Sequence, residues 1–216
     1  PFLVKEEKIL LMALESKDAS EMTKTFQRIL GNCVISPSKL DITKLAMFDI
    51  EYIFLQMRAR SVGEQVEPTI ICEPCKNPVQ LSIDLADIHV QFDDKHDTNI
   101  PLTDTVGVVM KYPSVDTLSD YTFSEMGGES VNTSLAFETI SRCIDYIYDG
   151  EQKYDAEDQT KEELQSFVDG LTQSQFMKIQ QFFETMPRLE HKVEYKDACT
   201  GEKKEFVLNT LADFFG

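Results

Sequence analysis

The strongest helical pattern in the chain is Asp41 to Arg60, DITKLAMFDIEYIFLQMRAR. Leu45, Phe48 and Tyr52 recur at the spacing of one helical face, and further apolar residues widen that face beyond a narrow stripe. The pattern predicts a central core helix. The alternative is a helix that also contacts a partner subunit.

Other segments repeat the helical spacing with shorter apolar faces. They are Val4–Leu14, Ser20–Leu30, Thr133–Tyr148, Leu164–Leu171 and the stretch between Thr172 and Pro187. Thr172 is followed three residues later by Gln175, which is a capping-box pattern. This pattern predicts that the last of these helices begins at Thr172.

Elsewhere the pattern changes to the alternation that is typical of β-strands. Val66–Cys72 and Val79–Leu85 flank the turn sequence CEPCKNP, which predicts a hairpin. Val106–Tyr112 predicts another strand, and His191–Phe215 predicts strand, turn, strand and the apolar tail LADFF. We expect the tail to pack into the chain's own core, with docking on a neighbouring subunit as the alternative.

Together these elements predict an α+β fold that is mostly helical and has two small β-hairpin units with zinc-ribbon-like turns. The length of 216 residues is typical of one domain, or of two small ones that share a core, and we predict a single domain over 1–216. The expected order is a helical part over 1–62, a β unit over 63–112, a helical part over 113–187 and a β-hairpin tail over 188–216. Because the chain opens without a Met, we expect its numbering to begin partway into a longer protein.

The charge of the chain narrows the classes of partner. The sequence has 21 Lys and Arg against 38 Asp and Glu, a net charge of −17. So negative a chain repels phosphate, and we expect no nucleic-acid partner. No apolar run approaches the ~18 residues of a membrane span, so we expect no membrane partner. The acid-rich segments Asp84–Asp97 and EQKYDAEDQTKEE are expected to be solvated loops or helix surface.

The five cysteines are odd in number and scattered, which argues against a disulfide framework and favours a reducing cytoplasm. One pair, Cys72-x-x-Cys75, has the spacing that holds one edge of a tetrahedral Zn²⁺. The stretch YKDACTG places Cys199 before a similar turn. Aligning the two stretches as a degenerate repeat matches Cys75 with Cys199 and Cys72 with Lys196.

A protonated lysine is not a zinc ligand, so a complete site would need His191 or His89 as well. We therefore predict former zinc-ribbon turns that are now held by packing, with no metal-binding residues and no cofactor. Zinc binding by Cys72, Cys75 and Cys199 stays open, and a zinc-ribbon protein-binding or regulatory module is the alternative function.

Signatures of catalysis are absent from the sequence. None of the histidines, His89, His96 and His191, lies in HExxH or beside a GxSxG-type serine. The chain also lacks GxxxxGK[ST] and GxGxxG, so it has no phosphate cradle of a known type. We predict no catalytic residues, no cofactor-binding residues and no enzymatic activity. A hydrolase with an unrecognised acidic site is the enzymatic alternative.

Three stretches together resemble a family of baseplate proteins from contractile-tailed phages of the T-even type. They are the opening PFLVKEEKILLMALES, the helix DIEYIFLQMRARSVGE before the cysteine hairpin, and the closing strands, turn and Leu-x-x-Phe-Phe. The resemblance implies a non-enzymatic structural or assembly protein, chaperone-like, of the baseplate hub. Its implied partners are other baseplate and hub proteins, in a homo- or hetero-oligomer.

The resemblance also carries expectations about location and about the cysteines. It implies the host cell cytoplasm during assembly, with the virion tail baseplate as the final site, and a further strand-rich segment before Pro1. Family members are expected to carry a CxxC pair in both hairpins. This chain keeps Cys72 and Cys75 in the first hairpin but only Cys199 in the second.

Overall fold

The computed structural model describes residues 3–6, 8–9, 12, 19–34, 41–72, 75–114, 117, 133–197 and 199–209. The chain forms two compact units. Unit 1 is built from Pro1–Gln91 and Pro187–Gly216, and unit 2 from Phe92–Met186. A single domain over 1–216 stays a prediction.

The described helices and strands occur in groups along the chain. The α-helices are α1 Ala19–Cys33, α2 Met47–Ser61, α3 Thr133–Arg142, α4 Lys161–Asp169 and α5 Gln173–Thr185. The strands of unit 1 are β1 Gln65–Val66, β2 Thr69–Ile71, β3 Pro78–Gln80, β4 Ile83–Asp84, β5 Val90–Gln91, β10 Arg188–Leu189, β11 His191–Lys196 and β12 Lys203–Leu208. The strands of unit 2 are β6 Asn99–Pro101, β7 Val106–Met110, β8 Ile144–Asp149 and β9 Gln152–Asp155.

Helix α2 supplies much of the core of unit 1, as its broad apolar face predicts. Ile50, Phe54 and Leu55 have no exposed surface. The helix contacts β5, β10 and a 3-10 turn at Leu85–Asp87. It begins at Met47 instead of Asp41, because the preceding Ile42–Lys44 forms a separate 3-10 turn.

Short antiparallel strand pairs complete unit 1. The pairs are β1 with β4, β2 with β3, β5 with β10, and β11 with β12. The predicted cysteine hairpin is confirmed, with Ile70 opposite Val79 in the register of β2 and β3. The predicted C-terminal hairpin is confirmed as β11 and β12. The acid-rich segment after Asp84, predicted as a loop, contains the short strand β5.

Unit 2 has a four-stranded antiparallel sheet in the order β6-β7-β8-β9. Buried apolar residues from its strands and from α3, α4 and α5 form one core; they include Ile100, Val108, Met110, Ile140, Cys143, Ile144, Val168, Ile179 and Phe182. The predicted capping box is confirmed. The backbone N–H of Thr172 donates to the Gln175 side chain at 2.8 Å, and the Gln175 N–H donates back to the Thr172 hydroxyl at 3.4 Å.

The prediction of a mostly helical chain is wrong, although the α+β class holds. Helices make up fewer than half of the described residues. The predicted helix Thr133–Tyr148 ends at Arg142, and β8 follows from Ile144. Strands β8 and β9 both lie in the part predicted to be helical. β8 is an inner strand, and its aromatic and β-branched residues favour that position once β7 and β9 pair with it.

Two further expectations concern membranes and the C-terminal tail. Among the described residues, none of the helices combines the length and the apolarity that a bilayer crossing needs. The tail Leu211–Phe215, predicted to pack into the core or to dock on a neighbour, lies outside the described residues.

Candidate metal centre

The first cysteine turn connects β2 to β3. The backbone N–H of Cys72 donates to the carbonyl of Asn77 at 2.9 Å, and the N–H of Lys76 donates to the carbonyl of Cys72 at 2.8 Å. Lys76 has a φ of 57°, in the left-handed region that few residues other than glycine adopt. These bonds bend the chain tightly, so Cys72 and Cys75 lie on the same turn.

The second turn connects β11 to β12 and contains Cys199. The N–H of Asp197 donates to the carbonyl of Glu202 at 2.8 Å, and the N–H of Gly201 donates to the carbonyl of Asp197 at 2.9 Å. Gly201 has a φ of 72°, which glycine adopts without steric cost. This turn therefore bends as tightly as the first.

The two turns bring three thiols together within unit 1. The Sγ atoms of Cys72, Cys75 and Cys199 all lie within 4.8 Å of one another, and those of Cys72 and Cys199 are 3.6 Å apart. Cys72 is buried, Cys75 half-buried and Cys199 exposed. Across the described ranges this is the one group of histidine, cysteine and acidic side chains with the spacing of a metal site.

A buried carboxylate lies beside the thiols. Asp197 Oδ2 is 3.9 Å from Cys72 Sγ and forms an ion pair with the Lys204 ammonium. Asp197 Oδ1 accepts the backbone N–H groups of Cys199 at 2.8 Å and Thr200 at 3.0 Å. The Lys204 ammonium, together with these two N–H groups, lowers the pKa of Asp197. The carboxylate is therefore anionic at neutral pH.

The thiols also influence each other's ionisation. Hydrogen bonding with Cys199, and then with the Asn77 N–H, lowers the pKa of the Cys75 thiol. The same interaction with Cys75, together with partial desolvation of the thiol, raises the pKa of Cys199 to about 12. The Asn77 N–H therefore gives Cys75 a hydrogen-bond donor that favours its thiolate form.

The two histidines expected to complete a zinc site do not join the cluster. His191 begins β11, opposite Leu208, whereas the turn with Cys199 follows the other end of that strand. Asp197 is six positions after His191 along the extended strand, which is roughly 20 Å. His89 precedes β5 and is likewise absent from the cluster.

Comparison with known families gives a match over the whole chain. The family model described as T4 bacteriophage base plate protein matches residues 1–216. The chain belongs to this family. Comparisons with curated proteins and with solved structures gave no match.

Membership confirms the resemblance on which the sequence prediction relied. It assigns the chain to the tail baseplate of a T4-type phage, as a structural protein that contacts other structural proteins of the phage. Such families typically have no enzymatic activity. The chain is therefore a protein of the phage tail.

In this baseplate protein, both ring nitrogens of His96 have a hydrogen-bond partner. The Thr185 hydroxyl donates to the carbonyl of Gln181 at 2.8 Å, so it accepts from His96 Nδ1 at 3.0 Å. His96 Nε2 then accepts from the Tyr112 hydroxyl at 3.0 Å. Burial lowers the pKa of His96. A neutral imidazole thus bridges two hydroxyl groups beside the core residue Phe182 of unit 2.

Sequence reasoning missed Asp197 and Lys204 as parts of the cysteine cluster. In an Asx turn, an Asp side chain accepts the backbone N–H two residues later. The sequence KDACTG contains an Asp in this position before its turn. The ion pair with Lys204 depends on the pairing of β11 with β12, which local sequence does not specify.

Proposed function

We propose that this baseplate protein is a non-enzymatic structural or assembly protein of the baseplate hub, acting chaperone-like through protein–protein contacts. The observation that carries the proposal is the family match over residues 1–216. We place the protein in the host cytoplasm while the hub assembles, with the tail baseplate as its destination.

Exposed apolar side chains support a role in protein contacts. Phe92 is 74% exposed, Met177 61% and Ile71 57%. Large apolar side chains at the surface supply contact area when a partner covers them. The net charge of −17 favours solubility before assembly and attracts basic partner surfaces.

The test uses a phage with an early stop codon in this gene. In a host that does not suppress the stop codon, we expect no complete tails, and negative-stain micrographs should show baseplate material without its central hub. A suppressor host provides the matched control and should restore complete tails. Normal tails in the non-suppressing host, with the protein undetectable by immunoblot, would refute the proposal.

A zinc-ribbon protein-binding or regulatory module remains the second candidate function. The convergence of three thiols on two hairpin turns favours it. In this alternative the hairpins would be the contact surface and the metal would hold their shape. Substituting the cysteines should then weaken binding to the partner as well as to the metal, which a pull-down with purified hub proteins would detect.

A further inference from the structure

The two cysteine turns share one backbone geometry, and their register differs from the one that the sequence repeat indicates. The N–H and carbonyl of Asp197 make the same two bonds as those of Cys72, 125 residues earlier. Gly201 has the left-handed position that Lys76 has in the first turn, at the same offset. Asp197 is therefore the counterpart of Cys72, and the predicted match of Cys72 with Lys196 is shifted by one residue.

With the two turns aligned in this way, the cluster contains four potential metal ligands instead of three. The first turn offers Cys72 and Cys75. The second offers Asp197, at the position equivalent to Cys72, and Cys199. Carboxylate oxygen and thiolate sulfur are both ordinary ligands of Zn²⁺.

The two distances from Cys72 Sγ, to Cys199 Sγ and to Asp197 Oδ2, are close to those around a tetrahedral ion. Two sulfurs bound to one tetrahedral Zn²⁺ at about 2.3 Å are about 3.8 Å apart, and a sulfur and a carboxylate oxygen are about 3.5 Å apart. The Sγ atoms of Cys72 and Cys199 are separated by 3.6 Å. Oδ2 of Asp197 lies 3.9 Å from Cys72 Sγ. Asp197 lies outside the group of ligand atoms that are all within 4.8 Å of one another, so its carboxylate must move towards Cys75 and Cys199 to complete a four-ligand site.

We propose that Cys72, Cys75, Cys199 and the carboxylate of Asp197 bind one Zn²⁺ as a structural site that joins the two hairpins of unit 1. Binding releases the protons of the three thiols, because the metal ligand is the thiolate. Asp197 contributes its Oδ2, since its Oδ1 is already used by the backbone N–H groups of the turn.

Lys204 fits this site as an outer partner of the carboxylate. The Asp197 side chain is 1% exposed, whereas that of Lys204 is 43% exposed. The ammonium can therefore move towards solvent and leave Oδ2 to the ion. Three thiolates and one carboxylate leave a zinc complex with two net negative charges, which the ammonium partly balances. Carboxylates that bind metals are commonly hydrogen-bonded in this way.

A disulfide between Cys72 and Cys199 is the competing use of the same thiols. It would leave Cys75 and Asp197 without a role in the cluster. The metal site uses all four groups, and for this reason the geometry favours it.

The test titrates the reduced full-length chain with Co²⁺ under anaerobic conditions. We expect one Co²⁺ per chain, with the near-ultraviolet thiolate charge-transfer absorption and the visible bands of a tetrahedral site, and displacement by one equivalent of Zn²⁺. Cys75→Ser and Cys199→Ser should weaken binding by more than about tenfold. Cys33→Ser is the matched control, because Cys33 lies on α1 outside the cluster, and it should leave binding unchanged.

Asp197→Asn tests the fourth ligand, because its amide oxygen can still accept the N–H groups of the turn. We expect weaker binding with an unchanged circular dichroism spectrum. X-ray absorption of the wild-type zinc protein needs no variant and should show three sulfurs and one oxygen at bonding distance. Less than one bound metal per chain, a Cys72–Cys199 disulfide in the metal-treated protein, or full affinity in Cys199→Ser or Asp197→Asn would overturn the proposal.

Discussion

Cys143 should make the stability of the chain depend on pH in the alkaline range. The residue lies between α3 and β8, has no exposed surface and belongs to the core of unit 2. Burial raises the pKa of its thiol from the ordinary 9.0 to about 12, while the nearby Lys111 ammonium opposes this shift. Because the folded pKa is the higher one, the stabilisation is complete below pH 9 and is lost as the pH rises towards 12.

The size of the effect follows from the two pKa values. Above pH 9 the unfolded thiol ionises, and each further pH unit lowers the free energy of unfolding by about 1.4 kcal/mol. Between about pH 8 and about pH 10.5, Cys143 should therefore remove about 2 kcal/mol of stability. Cys143→Ala has no thiol at this position, so its stability should fall by about 2 kcal/mol less over the same interval.

Guanidinium denaturation of both proteins at the two pH values, followed by circular dichroism, measures this difference. The variant will be less stable at both pH values because it leaves a small cavity, but that cost is the same at each pH. The difference between the two pH dependences therefore contains neither the free-energy cost of the cavity nor the contribution of any group that titrates in both proteins. Equal losses of stability in the two proteins would refute the reasoning. So would rapid alkylation of Cys143 in the native protein, which would show that the thiol is accessible.

Three further predictions concern the stability of unit 2, and each is measured by chemical denaturation. Phe182→Ala should cost about 3–5 kcal/mol, because the ring is buried, whereas Met177→Ala on the same helix should change stability by less than about 0.5 kcal/mol, because Met177 is exposed. Gly107→Ala should cost about 1–3 kcal/mol, because its new Cβ would overlap the Tyr148 ring, and the Tyr148→Ala background should remove that cost. Thr172→Ala should cost about 1 kcal/mol, because α5 loses its N-terminal cap.

Sequence reasoning succeeded where short-range chemistry specifies the structure. The Thr172 capping box depends only on residues within four positions of each other, and α5 begins where it indicates. The hairpin of β2 and β3 follows from two short runs and the turn between them. Cys143 has apolar neighbours in the sequence and lies in the core of unit 2. Cys33 also has apolar neighbours in the sequence but is only half-buried.

The failure at β8 has a physical cause. Ile144 and Ile147 are three residues apart, so they continue the helical spacing of α3. The same segment contains Tyr146 and Tyr148, and aromatic and β-branched residues also favour strands. The choice between the two depends on β7 and β9, which supply the hydrogen-bond partners on both sides. Those partners come from tertiary structure, and a local pattern does not contain them.

The cysteine cluster depends partly on short-range sequence signals and partly on tertiary structure. The CxxC spacing and the second cysteine turn were visible in the sequence, but the register between the turns was not. Residue types alone matched Cys72 with Lys196, whereas the backbone hydrogen bonds match it with Asp197. A shift of one residue replaces a cation that cannot bind metal with an anion that can. The backbone hydrogen bonds and left-handed residues of the turns, and not residue types alone, therefore identify Asp197 as the counterpart of Cys72.

The topology of unit 1 gives a reason for a link between the two hairpins. Its two segments are separated along the chain by the whole of unit 2, and the strands that flank this insertion, β5 and β10, pair over only two residues each. A strand pair this short is only marginally stable by itself. A metal at the cysteine cluster would join Cys72 to Cys199, which are 127 residues apart. Closing a loop of this length restricts the unfolded chain by about 4–5 kcal/mol in the entropic treatment of cross-links. The cluster therefore lies where a single ion would help to hold the two segments of unit 1 together.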